Sequence, residues 1–250
     1  MSDTGTQFVG IFIKTLWLII SNPLVLLILA AIVITMVIKT VLYKKSTYYA
    51  ETNSSFFKVI RDKGKYGEYL TYKRLSSLEK AGCRFLFNVY LPKDNNETSE
   101  LDVVAICKEG IFVFESKNYS GWIFGSEEQK SWTQVLAKGK GKSQKEHFYN
   151  PIFQNRTHIK YLKKIIGEEI PTYSVVVFSE RCTFKKLEVS GNVPVIKRDR
   201  VLSTVKNIIG NASDNSIDIA EIYDKLKPYT NVSDEIKQKH IEDINSKKST

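Results

Sequence analysis

Leu16 to Ile38 reads LWLIISNPLVLLILAAIVITMVI, 23 residues without a charge. About 20 apolar residues suffice for a helix to cross the hydrocarbon core of a bilayer. A helix that is apolar all round must lie in lipid or be buried whole. Trp17 and Tyr43 stand near the two ends of the run, where interface aromatics sit. Asn22 and Pro23 interrupt it near its start, where a kink is tolerated. A cleaved signal peptide has a shorter apolar core and a small-residue cleavage site. This run is longer and exits into Lys39, Lys44 and Lys45. We therefore expect an N-terminal tail over 1–15 and one transmembrane helix over 16–43. A re-entrant hairpin turning at Ser21-Asn22-Pro23 is the alternative.

Basic residues set the expected orientation. Lys14 lies upstream of the run, offset by Asp3, whereas Lys39, Lys44, Lys45, Lys58, Arg61 and Lys63 lie downstream. The positive-inside rule then puts the C-terminal part in the cytoplasm. Sequons such as Asn53-Ser54-Ser55 and Asn96-Glu97-Thr98 argue the other way, but the motif is short and common by chance. Charge therefore decides.

The rest of the chain is long enough for one domain with a real core. Of the 250 residues, 42% are hydrophobic and 26% charged, which excludes a disordered chain. The net charge of +10 favours anionic partners such as nucleic acid or acidic lipid. Cys83, Cys107 and Cys182 form no C-x-x-C pair. No disulfide framework or zinc site is implied, and a reducing compartment fits.

Residues 44–62 are polar and read as a linker. Gly64 to Lys80 has the period of an amphipathic helix, ended by Gly82. Arg84 to Leu91 reads as a strand stopped by Pro92. Leu101 to Cys107 and Ile111 to Lys117 read as two strands joined by a short turn at Lys108-Glu109-Gly110. The second is apolar on both faces, which predicts a central strand. Residues 121–132 read as short strands or loop, and Lys138 to Lys145 as a flexible basic run. Asn150-Pro151 opens a helix through about Ile166. Strands at Ser174 to Phe178 and Val193 to Ile196 precede helices at Val201 to Ile209 and Ile217 to Leu226. A charged tail, 231–250, ends the chain. The order predicts an α/β fold with a mixed central sheet flanked by helices.

One cluster carries chemistry. Asp102 opens one strand of the hairpin, and Glu115 and Lys117 close the other. With the turn centred near Glu109, Asp102 lies opposite Ser116, beside Glu115 and Lys117. Glu115 and Lys117 are two apart and share a face. Two carboxylates can hold Mg²⁺ or Mn²⁺ through oxygen ligands. The ion would polarise a phosphate and acidify a bound water, and a neighbouring Lys would orient that water and steady charge on phosphate oxygens. The plainer reading is a cross-strand ion pair at a strand end.

These segments resemble the nuclease-related domain called NERD, of the PD-(D/E)XK nuclease superfamily. Gly64-Lys65-Tyr66-Gly67-Glu68 looks like its opening G-x-x-G-E helix, and Glu100-Leu101-Asp102 like its acidic strand, with Val103 where His is common. Phe112 to Gly121 (FVFESKNYSG) is similar to its E-T-K-N-containing strand, with Ser116 for the usual Thr. Trp132 and Gln134 look like its tryptophan-centred segment, and Asn150-Pro151-Ile152-Phe153-Gln154-Asn155 like its N-P-x-Q-N helix start. The resemblance covers about residues 61–180. It implies a restriction-endonuclease-like nuclease domain over 63–230, with Asp102, Glu115 and Lys117 as the metal-and-water core. Glu68 would add a carboxylate as a third ligand, and Gln154 would reach the site from the later helix. It also implies an Mg²⁺- or Mn²⁺-dependent enzyme acting on nucleic acid, DNA above all. A fold kept for binding, without cleavage, is the alternative.

His147 and His158 are expected to be surface or packed residues, outside the site. Lys138, Lys140, Lys142 and Lys145 are candidates for holding a phosphate backbone.

Overall fold

The computed structural model describes residues 3–139, 141–212 and 216–248. The chain divides into two compact units, Met1–Ser46 and Thr47–Thr250.

In the first unit the apolar run is two helices. Helix α1 spans Asp3–Ile20 and α2 spans Pro23–Lys44. Pro23 has no N–H to donate, so it stands at the first position of α2 instead of inside a longer helix. Asn22 caps α2, its side chain accepting from Leu24 N at 2.9 Å. The expected single helix over 16–43 is thus broken at Ser21-Asn22. Helix α2 is long and apolar enough to cross a membrane; the apolar stretch of α1, Gln7–Ile20, is shorter.

The second unit begins with α3 (Thr47–Thr52), α4 (Phe56–Arg61) and α5 (Lys63–Leu75). The first two occupy the stretch expected as a linker, and Tyr48, Phe56 and Val59 are buried there. Then come β1 (Arg84–Pro92), β2 (Thr98–Cys107), β3 (Gly110–Lys117), β4 (Gly121–Ser126), β5 (Ser131–Ala137) and β6 (Ser143–Tyr149). Helix α6 (Pro151–Ile166) leads to β7 (Thr172–Phe178), β8 (Cys182–Glu188) and β9 (Val195–Lys197). Helices α7 (Val201–Gly210), α8 (Ile219–Leu226) and α9 (Asp234–Lys248) follow.

The strands form two mixed sheets. The first has the order β1-β2-β3-β7-β9, with β3 in the middle, antiparallel to β2 and parallel to β7. The second has the order β6-β5-β4-β8 and is built by the chain between β3 and β7, with β8 added afterwards. The stretch 121–132, expected as short strands or loop, holds β4 and the start of β5, and the run expected to be flexible over 138–145 includes the start of β6.

Helices cover both faces of the first sheet. On one face Leu86, Val104, Ile111 and Val113 pack with Leu162 and Ile166 of α6 and Ile222 and Leu226 of α8. On the other, Tyr72 of α5 meets Phe85 and Phe87 edge-on, with ring centroids 5.3 and 5.2 Å apart. Truncating a fully buried leucine such as Leu162 to Ala costs about 2–5 kcal/mol.

The cysteine expectation is corrected. Cys83 and Cys107 form a disulfide. They are 24 residues apart in sequence, but Arg84 pairs with Ile106 across the antiparallel β1–β2 ladder. The next pair outward is therefore the two cysteines. Cys182 is the free thiol, and it is buried.

Candidate active site

The β2–β3 hairpin has a two-residue turn, Lys108-Glu109, with Cys107 facing Gly110. Val103 therefore faces Phe114, one place from the expected register. The shift leaves the cluster intact, because Asp102 Oδ2 accepts from Ser116 N at 2.8 Å.

Glu115 and Lys117 point the same way from β3. Lys117 Nζ lies 2.7 Å from Glu115 Oε1 and donates to Gln154 Oε1 at 3.0 Å. Gln154 is carried there by the first turn of α6, whose entry Asn150 fixes. Asn150 caps the helix by accepting from Ile152 N and donates through Nδ2 to the carbonyls of Gln129 and Glu127. Pro151 stands at the first helical position. One turn further, buried Asn155 donates to Val113 O and Ser174 Oγ, pinning α6 across β3 and β7.

Glu68 comes from α5. Its Oε2 accepts from Asn88 Nδ2 at 2.9 Å and Tyr48 OH at 3.3 Å. The close approach of α5 depends on Gly67. A Cβ there would sit 2.7 Å from Asn118 Cβ. Thr71 Oγ1, one turn on, lies 3.1 Å from Ser116 Oγ.

Glu68, Asp102, Glu115, Lys117 and Gln154 all line one pocket of about 280 Å³, together with Lys63, Gly64 and Tyr119. Every residue expected in the core of the site is there. Lys138, Lys142 and Lys145 are exposed and do not line it; they belong to the β5–β6 connection and β6. Lys140 lies outside the described residues.

The charges are strongly perturbed. Burial, followed by the repulsion of Glu115 and Glu68, raises the Asp102 carboxyl well above the usual carboxylate range. Burial and then Glu100 push Glu68 up to about 8. Burial also works against ionised Glu115, but Lys117 and His158 outweigh it and lower its pKa. Burial likewise disfavours the Lys117 ammonium, and Glu115, Tyr119 and Asp102 outweigh it and raise its pKa. Such opposed shifts in one cleft are typical of functional sites. Among the described residues, no three His, Cys, Asp or Glu side chains form a group able to hold a metal by themselves.

The sequence reading missed three partners. His158 is buried at the site, its Nε2 3.2 Å from Glu115 Oε2 and its Nδ1 2.6 Å from Ser99 Oγ. The Nε2–Oε2 approach is off-line for a good hydrogen bond, yet neither atom has another partner. A signal existed: His158 follows Gln154 by four positions, on the same helix face. Tyr48 and Asn88 on Glu68 left no such signal, since they come from α3 and β1. Beyond the site, buried Arg198 donates to Asn118 Oδ1 at 3.2 Å and pairs with Glu180 at 3.0 Å.

A mixed sheet with acidic residues and a lysine at the end of its central hairpin, and a glutamine delivered by a flanking helix, defines a nuclease-like domain. Residues 63–179 match the family model of the nuclease-related domain, NERD. The chain belongs to this family, which is part of the PD-(D/E)XK-like nuclease superfamily. It is 30% identical over 190 residues to a Bacillus anthracis protein described as uncharacterized, covering 74% of this chain and 85% of that one. No solved structure matches it significantly.

Proposed function

We propose that this chain is a membrane-anchored, metal-dependent nuclease that hydrolyses phosphodiester bonds, with DNA as its substrate. One observation carries the reading: Glu68, Asp102, Glu115, Lys117 and Gln154 arrive from α5, β2, β3 and α6 and line a single pocket.

Mg²⁺ keeps several waters and is commonly held through one or two carboxylates plus substrate phosphates. The donors here suit that habit. Asp102 engages Ser116 through Oδ2, while Oδ1 has no hydrogen bond among the described residues. Its carboxyl is half-buried beside two other acids, a repulsion that a cation relieves. Asp102, Glu115 and Glu68 would hold Mg²⁺ or Mn²⁺. When bound, the ion polarises the phosphate and lowers the pKa of a coordinated water. Lys117, held between Glu115 and Gln154, orients the attacking water and stabilises negative charge on phosphate oxygens. Gln154 keeps that ammonium in place.

Helix α2 is the proposed anchor. The basic residues after it favour a nuclease domain on the cytoplasmic side, and Lys39, Lys44 and Lys45 can dock on anionic lipid.

A second reading is a tethered binding module that keeps the fold and cleaves nothing. The lack of a three-residue metal group among the described residues favours it. The full-length protein in uncharged detergent micelles separates the two. It is incubated with linear, circular and single-stranded DNA and with RNA, with and without Mg²⁺ or Mn²⁺, beside Glu115→Ala and Lys117→Ala. Ion-dependent cleavage lost in both variants is the expected result. Cleavage that persists in both variants, or binding without cleavage under every condition, removes the catalytic reading.

A further inference from the structure

The second sheet has an outer face that the pocket does not use. Its inner face packs against the core through Ile123 and Trp132, so alternate residues point outward. Trp122 is one of them and is 49% exposed. The register gives Trp122 a row of neighbours, Thr183 on one side and Val135 then Lys145 on the other. The next row is Lys186, Phe124, Thr133 and His147. Neither row contains an acidic residue. The β4–β8 register shifts between Ile123 and Phe124, which leaves Lys185 as an extra residue; its Nζ lies 5.0 Å from the Trp122 ring centroid. In the row beyond, Glu188 is tied to Lys186 at 3.4 Å.

We propose that this face binds single-stranded nucleic acid, with a base stacked on Trp122 and the backbone phosphates held by Lys145, Lys185 and Lys186. The occupant follows from the chemistry. An exposed indole supplies a flat apolar surface, and every base has a matching π-face. The lysines flanking it on β6 and β8 supply charge for a polyanion running across the strands. The proposal deepens the nucleic-acid reading above and rests on it for the class of ligand, but it does not depend on cleavage.

The test uses the full-length protein in uncharged detergent micelles with EDTA present, so that nothing is cut. Fluorescence anisotropy follows a labelled oligothymidine of about 20 nucleotides, a length that spans one such binding surface. Trp122→Ala is expected to weaken binding by about five- to a hundredfold, and Trp122→Tyr to keep most of it. Lys145→Ala and Lys185→Ala should each flatten the salt dependence, by about 0.7 in the log–log slope for single strands. A duplex of equal length should lose less in Trp122→Ala, because its bases are already stacked. Thermal melting confirms that Trp122→Ala is folded. Wild-type affinity for the oligonucleotide in folded Trp122→Ala overturns the proposal. So does loss of binding to phosphatidylcholine–phosphatidylserine vesicles with oligonucleotide binding unchanged, which assigns the face to lipid. Glu115→Ala is carried in parallel. Trp122-dependent binding by a protein that never cleaves leaves this inference standing and removes the nuclease reading. Cleavage lost in Glu115→Ala, with binding indifferent to Trp122, does the reverse.

Discussion

His158 Nε2 stands 3.2 Å from Glu115 Oε2, and Ser99 holds the other ring nitrogen at 2.6 Å. With Nδ1 occupied by Ser99, the Nε2 edge of the ring is the one turned to Glu115. The imidazole thus steadies one carboxylate oxygen while Lys117 takes the other. His158→Ala leaves buried groups unpaired on both sides, at a cost of about 1–3 kcal/mol. It should lower Tm and weaken Mn²⁺ binding, read by calorimetry, by about 10- to 100-fold, as loss of an outer-shell partner does. A variant with wild-type Tm and wild-type Mn²⁺ affinity would show that the pair has no role.

Gly67 and Gly64 belong to the same short motif but are not equivalent. A Cβ on Gly67 meets Asn118 Cβ at 2.7 Å; one on Gly64 meets the ends of the Asp62 and Glu68 side chains, at 3.3 and 4.0 Å. Gly67→Ala must push α5 off the end of β3, an overpacking cost of about 1–3 kcal/mol. It is expected to lower Tm and reduce cleavage severely, whereas Gly64→Ala should retain both. Equal behaviour of the two variants in melting and cleavage assays would refute the distinction.

Glu68 gives the folded protein a pH dependence. Its proton is held up to about pH 8, against 4.5 for the free side chain. Between those values the folded state binds more protons than the unfolded one, so stability falls as pH rises. Asp102, also raised, acts with the same sign. In EDTA, Tm should decline from about pH 5 to about pH 9, and Glu68→Gln should remove part of that decline. Added Mg²⁺ should raise Tm more on the alkaline side, where the carboxylates are already ionised. A Glu68→Gln melting curve parallel to wild type at every pH would contradict the assignment.

The Cys83–Cys107 disulfide and the basic flank of α2 make opposite statements about compartment. Disulfides persist in oxidising surroundings, whereas the flanking lysines favour the cytoplasm. With the domain cytoplasmic, both cysteines should be trapped as free thiols when cells are lysed directly into denaturant with an alkylating reagent, and a reporter fused after Thr250 should be shielded from outside. The bond should then form on purification and raise Tm, since closing a loop of this size contributes about 3 kcal/mol. An oxidised pair in cells together with an accessible reporter would reverse the orientation.

Much of the local structure was legible. Apolar runs on both faces of Ile111–Phe114 marked β3 as central, and Asn150-Pro151 marked the start of α6, because burial and capping leave direct traces in sequence. The register of β2 on β3 was read one place off. A two-residue turn and a three-residue turn differ by one residue at Gly110, which the sequence leaves open. The second sheet was only partly legible. In β6 only Gln144 and Phe148 are half-buried, and Lys145, Glu146 and His147 between them are exposed, so its hydrophobic pattern is faint.

The sequence by itself determined which residues carry the candidate chemistry: Asp102, Glu115 and Lys117 needed only a hairpin to meet, and the motifs around Glu68 and Gln154 marked those two. Tertiary structure decided how the cluster is held. Tyr48 and Asn88 reach Glu68 from α3 and β1, His158 of α6 reaches Glu115 and is itself held by Ser99 of β2, and Cys83 finds Cys107 across a strand pair. Each of these contacts joins elements far apart in the chain. Local periodicity records which face of an element is buried, but not which element arrives to cover it.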